Sequence, residues 1–313
     1  MNKAVKSCII IYFVFLAVFI CHVLFSTDIQ DFIHADEIGI RNDYSENWIL
    51  GTGEIADIDD VSAKGFGKGI VISKKLPDVM SETDAVCFST SNLRFKVYVD
   101  DDLIYSYDTR ENLTGTGDGI AYHMIGLGVK DESRTIRIEG ATVFADGYGG
   151  RINCMQFGTE NQFRYYIIRN NMLGVCLSFL MIIFGVVIIV FFFGLSHKNT
   201  MVRPIWALGL SAILFGLWSM SDTGVPQLLT GVTYAPRTIV YGILHLAGFP
   251  LIFFVNSVTK KKSHIYLYLS FITTVLGFGW LIFSRYVYGT DLHTMVGAIY
   301  TSYGIELLWL VVI

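Results

Sequence analysis

The sequence is poor in charged residues. Only 16% of its 313 residues are charged, whereas about a quarter is usual in a soluble globular chain. The deficit is uneven, because residues 27–165 hold most of the aspartate and glutamate, whereas residues 166–313 are almost continuously apolar between short polar joints. The chain therefore divides into a part suited to water and a part suited to lipid.

Features that would indicate several other functions are missing. The sequence has no basic tract that could follow a phosphate backbone, and its net charge is only −4, so we expect no nucleic-acid partner. The five cysteines form no Cys-x-x-Cys pair and no Cys/His cluster, so we expect neither a metal site nor a cofactor. Cys87 and Cys154 both lie in the polar part, where a disulfide between them is allowed outside the cytosol.

Long apolar runs are abundant, and six of them approach the length of about 20 residues that a membrane helix needs. They are residues 7–25, 170–195, 204–220, 237–258, 264–284 and 292–313. The first run ends without a small-x-small cleavage site, so residues 1–26 are expected to be an uncleaved N-terminal membrane anchor.

The basic residues near these runs predict the topology. Lys3 and Lys6 place the N-terminus in the cytoplasm by the positive-inside rule, and the lysines at 260–262 also fall on the inner face. Residues 27–165 are then extracytoplasmic, and residues 166–313 form a transmembrane helical bundle of about five spans. The last run stops at Ile313 without a polar flank, so we expect that a longer protein continues beyond it.

The extracytoplasmic part has the alternating pattern of half-buried strands. Phe95, Val97 and Val99 share one face of a predicted strand, residues 100–102 form an Asp-rich turn, and residues 103–107 return as a second strand. Several such short strands with glycine-rich joints predict an all-β jelly roll or sandwich. The predicted fold class is therefore an α+β membrane protein, with this β domain inserted between the anchor and the helical bundle.

Two resemblances follow from these residues. Residues 97–104 read Val-Tyr-Val-Asp-Asp-Asp-Leu-Ile, which resembles the Val-x-Val-Asp-Gly-x-x-Ile hairpin of jelly-roll, sugar-binding-like domains, with aspartate in place of the usual glycine. The layout of anchor, outer β domain and helices resembles the bacterial seven-transmembrane receptors with diverse intracellular signalling modules. That resemblance implies a cytoplasmic kinase, phosphatase or diguanylate cyclase after the helices, and this sequence contains no such output domain.

Aromatic and polar side chains of the β domain are the candidates for a ligand site, because sugars stack on aromatic rings and hydrogen-bond to polar groups. They are Trp48, Tyr105, Tyr107, Asp118, Tyr122, His123 and Arg151. In the alternative interpretation the tyrosines pack the sheet and Asp118 caps a turn. Glu306 and His245 are the polar candidates within predicted spans, where ionisable groups are costly and often functional, although a hydrogen-bonded structural glutamate is the alternative.

We therefore predict a sensor in the cell membrane rather than an enzyme. Its β domain would bind an extracellular small molecule or carbohydrate, and its helices, surrounded by lipid, would pass the signal to an output outside this chain, with a homodimer compatible with that role. Two alternatives stay open. A transporter or channel subunit would use Glu306 and a helix break at 248–250, and an envelope-acting membrane enzyme would use a carboxylate pair in the outer domain.

Overall fold

The computed structural model describes most of the chain between residues 42 and 288. The described ranges are 42–64, 66–67, 69–108, 120–144, 149–195, 204–231, 234–259 and 264–288, with isolated positions beyond 296. The fold is α+β, with antiparallel sheets and seven α-helices among these residues. The chain forms two compact units, which we call the β unit (within His34–Asn170 and Pro226–Ala235) and the helical unit (within Asn171–Val225 and Pro236–Ile313).

Nine strands build the β unit. They are β1 (Trp48–Leu50), β2 (Ile55–Ala56), β3 (Ile70–Lys75), β4 (Asp84–Ser91), β5 (Leu93–Val99), β6 (Asp102–Tyr107), β7 (Ile120–Gly126), β8 (Thr135–Thr142) and β9 (Arg151–Thr159). One sheet has the order β2-β1-β3-β8-β5-β6, and the other has the order β7-β4-β9. A single core cluster takes Ile72 and Val97 from the larger sheet and Phe88 and Ile152 from the smaller one, so the two sheets pack face to face.

The predicted hairpin is confirmed. Strands β5 and β6 pair antiparallel, and burial along β5 alternates because every second side chain faces the core. The turn places Asp100 at a φ of +52°, a left-handed conformation that aspartate tolerates better than most residues. The Arg134 guanidinium then binds the carboxylates of Asp100 at 2.7 Å and Asp102 at 2.9 Å, which holds both ends of the turn.

Seven α-helices complete the described structure. They are α1 (Ile58–Lys64), α2 (Glu160–Asn170), α3 (Met172–Leu195), α4 (Ile205–Asp222), α5 (Val225–Thr230), α6 (Tyr234–Val258) and α7 (His264–Tyr288). Helix α2 belongs to the β unit, where Phe163 and Ile167 pack on Ala85 and Cys87 of β4. These contacts cover the face of the smaller sheet that points away from the core between the sheets.

Small residues bring α3 and α4 close together within the helical unit. A Cβ atom on Gly185 would lie 2.5 Å from the carbonyl oxygen of Gly209, and one on Gly209 would lie 2.8 Å from that of Gly185. The Ser178 hydroxyl also donates a hydrogen bond of 2.7 Å to the Ser219 hydroxyl across the pair. Close backbone approach through glycine and serine is the usual way in which helices pack in lipid.

Two described helices contain stretches that are long and apolar enough to cross a membrane, Met172–Phe192 and Leu267–Ser284. Over the described residues, the apolar parts of α4 and α6 are shorter, Ile205–Ser221 and Leu246–Val258. Helices thus occur at four predicted spans, but only two of these helices meet the criteria of length and composition. The predicted segment 7–25 and most of 292–313 lie outside the described residues.

Candidate functional site

His123 of β7 lies between the two sheets, at the centre of a cluster of aromatic and hydroxyl side chains. Its side chain is 2% exposed. Its Nε2 atom lies 2.8 Å from the Thr90 hydroxyl, and its Nδ1 atom lies 3.1 Å from the Tyr105 hydroxyl. The rings of Phe95 and Tyr107 approach it with centroid distances of 4.8 and 4.5 Å. Both ring nitrogens therefore have a hydrogen-bond partner in either neutral tautomer.

Burial determines the protonation of this cluster. It lowers the pKa of His123 to about 3, so the imidazole is neutral near pH 7. Burial also raises the pKa of Tyr105, so its hydroxyl keeps its proton. A neutral, enclosed and fully hydrogen-bonded imidazole is suited to fixing the position of β6 against β7 rather than to exchanging protons with a substrate.

A groove of about 580 Å³ crosses the face of the six-stranded sheet that points away from the core. It is lined by three successive residues from each of β8 and β5, by the last two residues of β6 with Asp108 after them, and by the first two residues of β3 with Gly69 before them. They are Gly69, Ile70, Val71, Arg94, Phe95, Lys96, Ser106, Tyr107, Asp108, Glu139, Gly140 and Ala141. The rings of Phe95 and Tyr107 turn towards His123, so their backbone forms the floor between two rows of outward side chains.

Strand register explains the shape of this groove, which we call the sheet groove. Lys96 is paired with Glu139 on one side and with Ser106 on the other, so these three side chains stand in one row. The parallel row contains Arg94 beside Ala141, its register partner on β8. Small side chains beside long charged ones leave a depression whose walls carry charge.

Some charged side chains along the sheet groove already form an ion pair, and others do not. Glu139 is engaged by its strand neighbour Arg137, whose Nε lies 3.4 Å from the Glu139 Oε1. Arg94 and Lys96 are exposed, and neither has an ion pair within the described part of the chain. Asp108 is an exposed carboxylate at the end of the same groove. The groove can therefore offer two cations and several hydrogen-bond acceptors to a polar ligand.

Gln227 binds the edge of the smaller sheet within the β unit. Its Oε1 accepts a hydrogen bond of 3.1 Å from the Tyr122 backbone N–H, and its Nε2 donates one of 2.9 Å to the Tyr122 carbonyl. The neighbouring Leu228 packs against the cluster that contains Phe163 and Ile167. A single side chain thus replaces a strand partner at the edge of β7.

Three of the predicted ligand residues meet in one cluster, and the others lie elsewhere or outside the described residues. Tyr105, Tyr107 and His123 come together, but their rings lie between the sheets. Trp48 is fully buried and donates from its Nε1 to the Tyr44 carbonyl at 2.7 Å, and Tyr122 faces α2 with its ring 6.2 Å from that of Phe163.

Among the remaining predicted residues, the structure describes the side chain of Arg151. Arg151 is exposed on β9, where its register partner is Ser91. Asp118 and Glu306 lie outside the described residues, as does the side chain of His245. Their roles stay predictions.

The allowed disulfide does not form in the structure. Cys87 is a free thiol, buried on the α2 face of β4, and its register partner on β9 is Gln156 rather than Cys154. Burial, with a smaller contribution from the Glu160 carboxylate, raises the pKa of this thiol to about 12. Cys87 is therefore a small apolar core residue in its protonated form.

Apart from Tyr107, sequence reasoning missed the residues of the sheet groove, and it also missed Gln227. The alternation that placed Phe95 inward also places Arg94 and Lys96 outward, so these two could have been found. Their neighbours Ser106 and Glu139 come from other strands and depend on register, which no local pattern reveals.

The described residues contain no group of three or more His, Cys, Asp or Glu side chains arranged to hold a metal ion. No family model, curated protein or solved structure matches the chain.

Proposed function

We propose that this chain is the input part of a membrane receptor. Its β unit binds an extracellular small molecule or carbohydrate in the sheet groove, and its helices pass the signal to a cytoplasmic output. The observation that carries the proposal is the placement of residues 226–235. The described residues 226–231 lie in sequence between two apolar helices, α4 and α6, yet they fold as part of the β unit through Gln227 and Leu228.

Exposure of the helical unit supports the membrane placement. Most of α3 is apolar on every side, and large residues such as Phe179, Val187 and Val190 are about half exposed or more, at 57%, 57% and 65%. Helix α7 is similar, with Leu276 exposed at 66%. A soluble protein would leave a large apolar patch in water, whereas lipid accommodates such surfaces. The pattern of lysines adds the orientation, with the β unit outside.

Strand connectivity supports a jelly-roll sandwich for the β unit. Five of the six connections between β3 and β9 cross from one sheet to the other, and only the β5–β6 hairpin stays within one sheet. Crossing of this kind is typical of Greek-key and jelly-roll folds.

A continuous set of contacts leads from the groove to residues 226–235. The end of β6 lines the groove. The side chains of Tyr105 and Tyr107 on this strand contact His123 on β7. The next residue, Tyr122, is held through its backbone by Gln227. We propose that a ligand that shifts β6 changes the position of β7 and thereby of the segment between α4 and α6.

The test uses the whole chain in lipid nanodiscs with saccharide libraries, with hydrogen exchange followed by mass spectrometry. A bound ligand should change exchange in β5 and β6 and also in residues 226–235. Gln227→Leu should keep the binding and lose the second response, whereas the neighbouring variant Leu229→Ala should keep both, since Leu229 is 83% exposed. A response confined to the groove, or uptake of the bound ligand into proteoliposomes, would contradict the receptor and favour a transporter.

A further inference from the structure

We infer that the ligand of the sheet groove is an acidic saccharide, a sugar that bears carboxylate or phosphate groups. The inference rests on the proposed function for the location of the site and adds the chemistry of the ligand. Its basis is the combination of two uncommitted cations with hydrogen-bond acceptors in one open groove.

The two cations are placed to act together. Arg94 and Lys96 lie two residues apart on β5 and therefore point to the same side of the sheet. Three other arginines of the β unit, Arg134, Arg137 and Arg164, each have a carboxylate within 3.7 Å. Arg94 and Lys96 have no such partner within the described residues, so their charge remains for a ligand anion.

The acceptors exclude a simple inorganic anion as the preferred ligand. Asp108 and Glu139 line the same groove, and their negative charges would repel a free phosphate or sulfate. A ligand that carries hydroxyl groups beside its anion can donate hydrogen bonds to these carboxylates while its anion contacts Arg94 or Lys96. Acidic saccharides combine both kinds of group at short spacing.

The dimensions also fit a saccharide. The groove volume of about 580 Å³ lies within the range of about 300–1,000 Å³ that is common for small-molecule sites. The groove is open to solvent, and the small side chains of Ser106 and Ala141 leave its floor accessible between the charged ones. An extended oligosaccharide could therefore lie across β3, β8, β5 and β6.

The test compares matched probes on the whole chain in nanodiscs by calorimetry. The probes are trigalacturonate, the neutral galactose trisaccharide, a sugar phosphate and inorganic phosphate. We expect trigalacturonate or the sugar phosphate to bind at least about tenfold more tightly than the neutral sugar, since one charge-assisted hydrogen bond contributes that much. Affinity should fall as salt rises from low to physiological concentration.

Substitutions then locate the binding. Arg94→Gln and Lys96→Gln should each weaken the acidic probe by about tenfold or more. The control Lys130→Gln removes the same charge from an exposed site on the short 3₁₀ helix Val129–Asp131 and should leave the affinity unchanged. Unchanged hydrogen exchange around His123 would establish that the variants remain folded.

The outcomes separate this inference from the proposed function. Equal binding of the neutral sugar, equally tight inorganic phosphate, insensitivity to both glutamine variants, or no acidic probe bound at millimolar concentration would each overturn the inference. If the neutral sugar still changes exchange at residues 226–235, the receptor proposal stands and only the ligand class falls. If the acidic sugar binds through Arg94 and Lys96 without that response, the inference stands and the receptor proposal falls.

Discussion

His123 shows how one residue can link stability to pH. Its folded-state pKa is about 3, whereas an unfolded histidine titrates near 6.5, so the unfolded state binds more protons between these values. The stability that a neutral His123 contributes is complete above about pH 6.5 and is lost as the pH falls towards 3. The loss has a limiting slope of about 1.4 kcal/mol per pH unit.

We expect His123→Gln to remove this slope. The measurement is the opening free energy of β7 and β4 from hydrogen exchange, at several pH values between 7 and 4, corrected for the intrinsic rates. His264→Gln changes an exposed histidine on α7 and should keep the wild-type slope. An equal slope in His123→Gln would assign the acid sensitivity to other groups.

The Arg134 side chain makes several of the contacts that hold the β5–β6 turn. It binds Asp100, Asp102 and Asp131, and its NH2 group also donates to the Val99 carbonyl at 3.2 Å. Its hydrogen bond is the main cause that lowers the pKa of Asp100, with the Thr135 backbone N–H second.

We expect Arg134→Ala to speed hydrogen exchange in Asp102–Tyr107, because the turn loses its ties to β8. Arg164→Ala provides the comparison, because Arg164 forms only a longer pair with Glu160, at 3.7 Å. Exchange in β6 that stays at the wild-type rate in Arg134→Ala would show that the strand pairing alone holds the turn.

At the scale of elements, both edges of the smaller sheet are closed by side chains. Gln227 occupies the edge of β7, and Ser62 of α1 occupies that of β9, where its hydroxyl donates to the Ile152 carbonyl at 2.5 Å and accepts from the Ile152 N–H at 3.2 Å. An open edge invites pairing with another chain, so such contacts protect the fold as well as stabilise it.

Ser62→Ala should destabilise the β unit by about 1–3 kcal/mol, because the buried N–H and C=O groups of Ile152 lose their partner. The measurement is the urea dependence of hydrogen exchange in β9. Ser73→Ala is the matched control, since the Ser73 hydroxyl makes only a long, exposed bond of 3.4 Å to the Ile49 carbonyl. Equal effects of the two substitutions would contradict a specific role for Ser62.

Glycines allow the backbones of α3 and α4 to approach closely. Gly185→Ala would place a methyl group 2.5 Å from a backbone carbonyl oxygen, so we expect a lower melting temperature of the detergent-solubilised chain. Gly279→Ala on α7 meets nothing within 4 Å and should instead be neutral or stabilising by up to about 1 kcal/mol from helix propensity. A melting temperature unchanged by Gly185→Ala would mean that the helices can separate without loss.

The sequence was informative where structure is local. The β5–β6 hairpin follows from the alternation around Phe95 and from the Asp-rich turn, both contained in about a dozen residues. His123 could not be assigned to the core in this way, because Tyr122 and Met124 on the opposite face of β7 are also large and partly apolar. The sheet groove depends on the register of strands that are far apart in sequence, so its charged residues went unrecognised as a site.

At the scale of the whole molecule, the proposed topology is open to direct labelling. In a cysteine-free background, a cysteine at the exposed position Asp59 of the β unit should react with a membrane-impermeant maleimide in intact cells. A cysteine at Lys261, which the positive-inside rule places in the cytoplasm, should react only after the membrane is permeabilised. Labelling of both or of neither in intact cells would contradict the orientation.

Only Asn171 separates α2, which ends at Asn170, from α3, which begins at Met172. Between two rigid helices such a joint offers a single pair of backbone torsions, φ and ψ. Inserting a few glycines there would multiply the torsions available between the two helices without changing any residue of either helix.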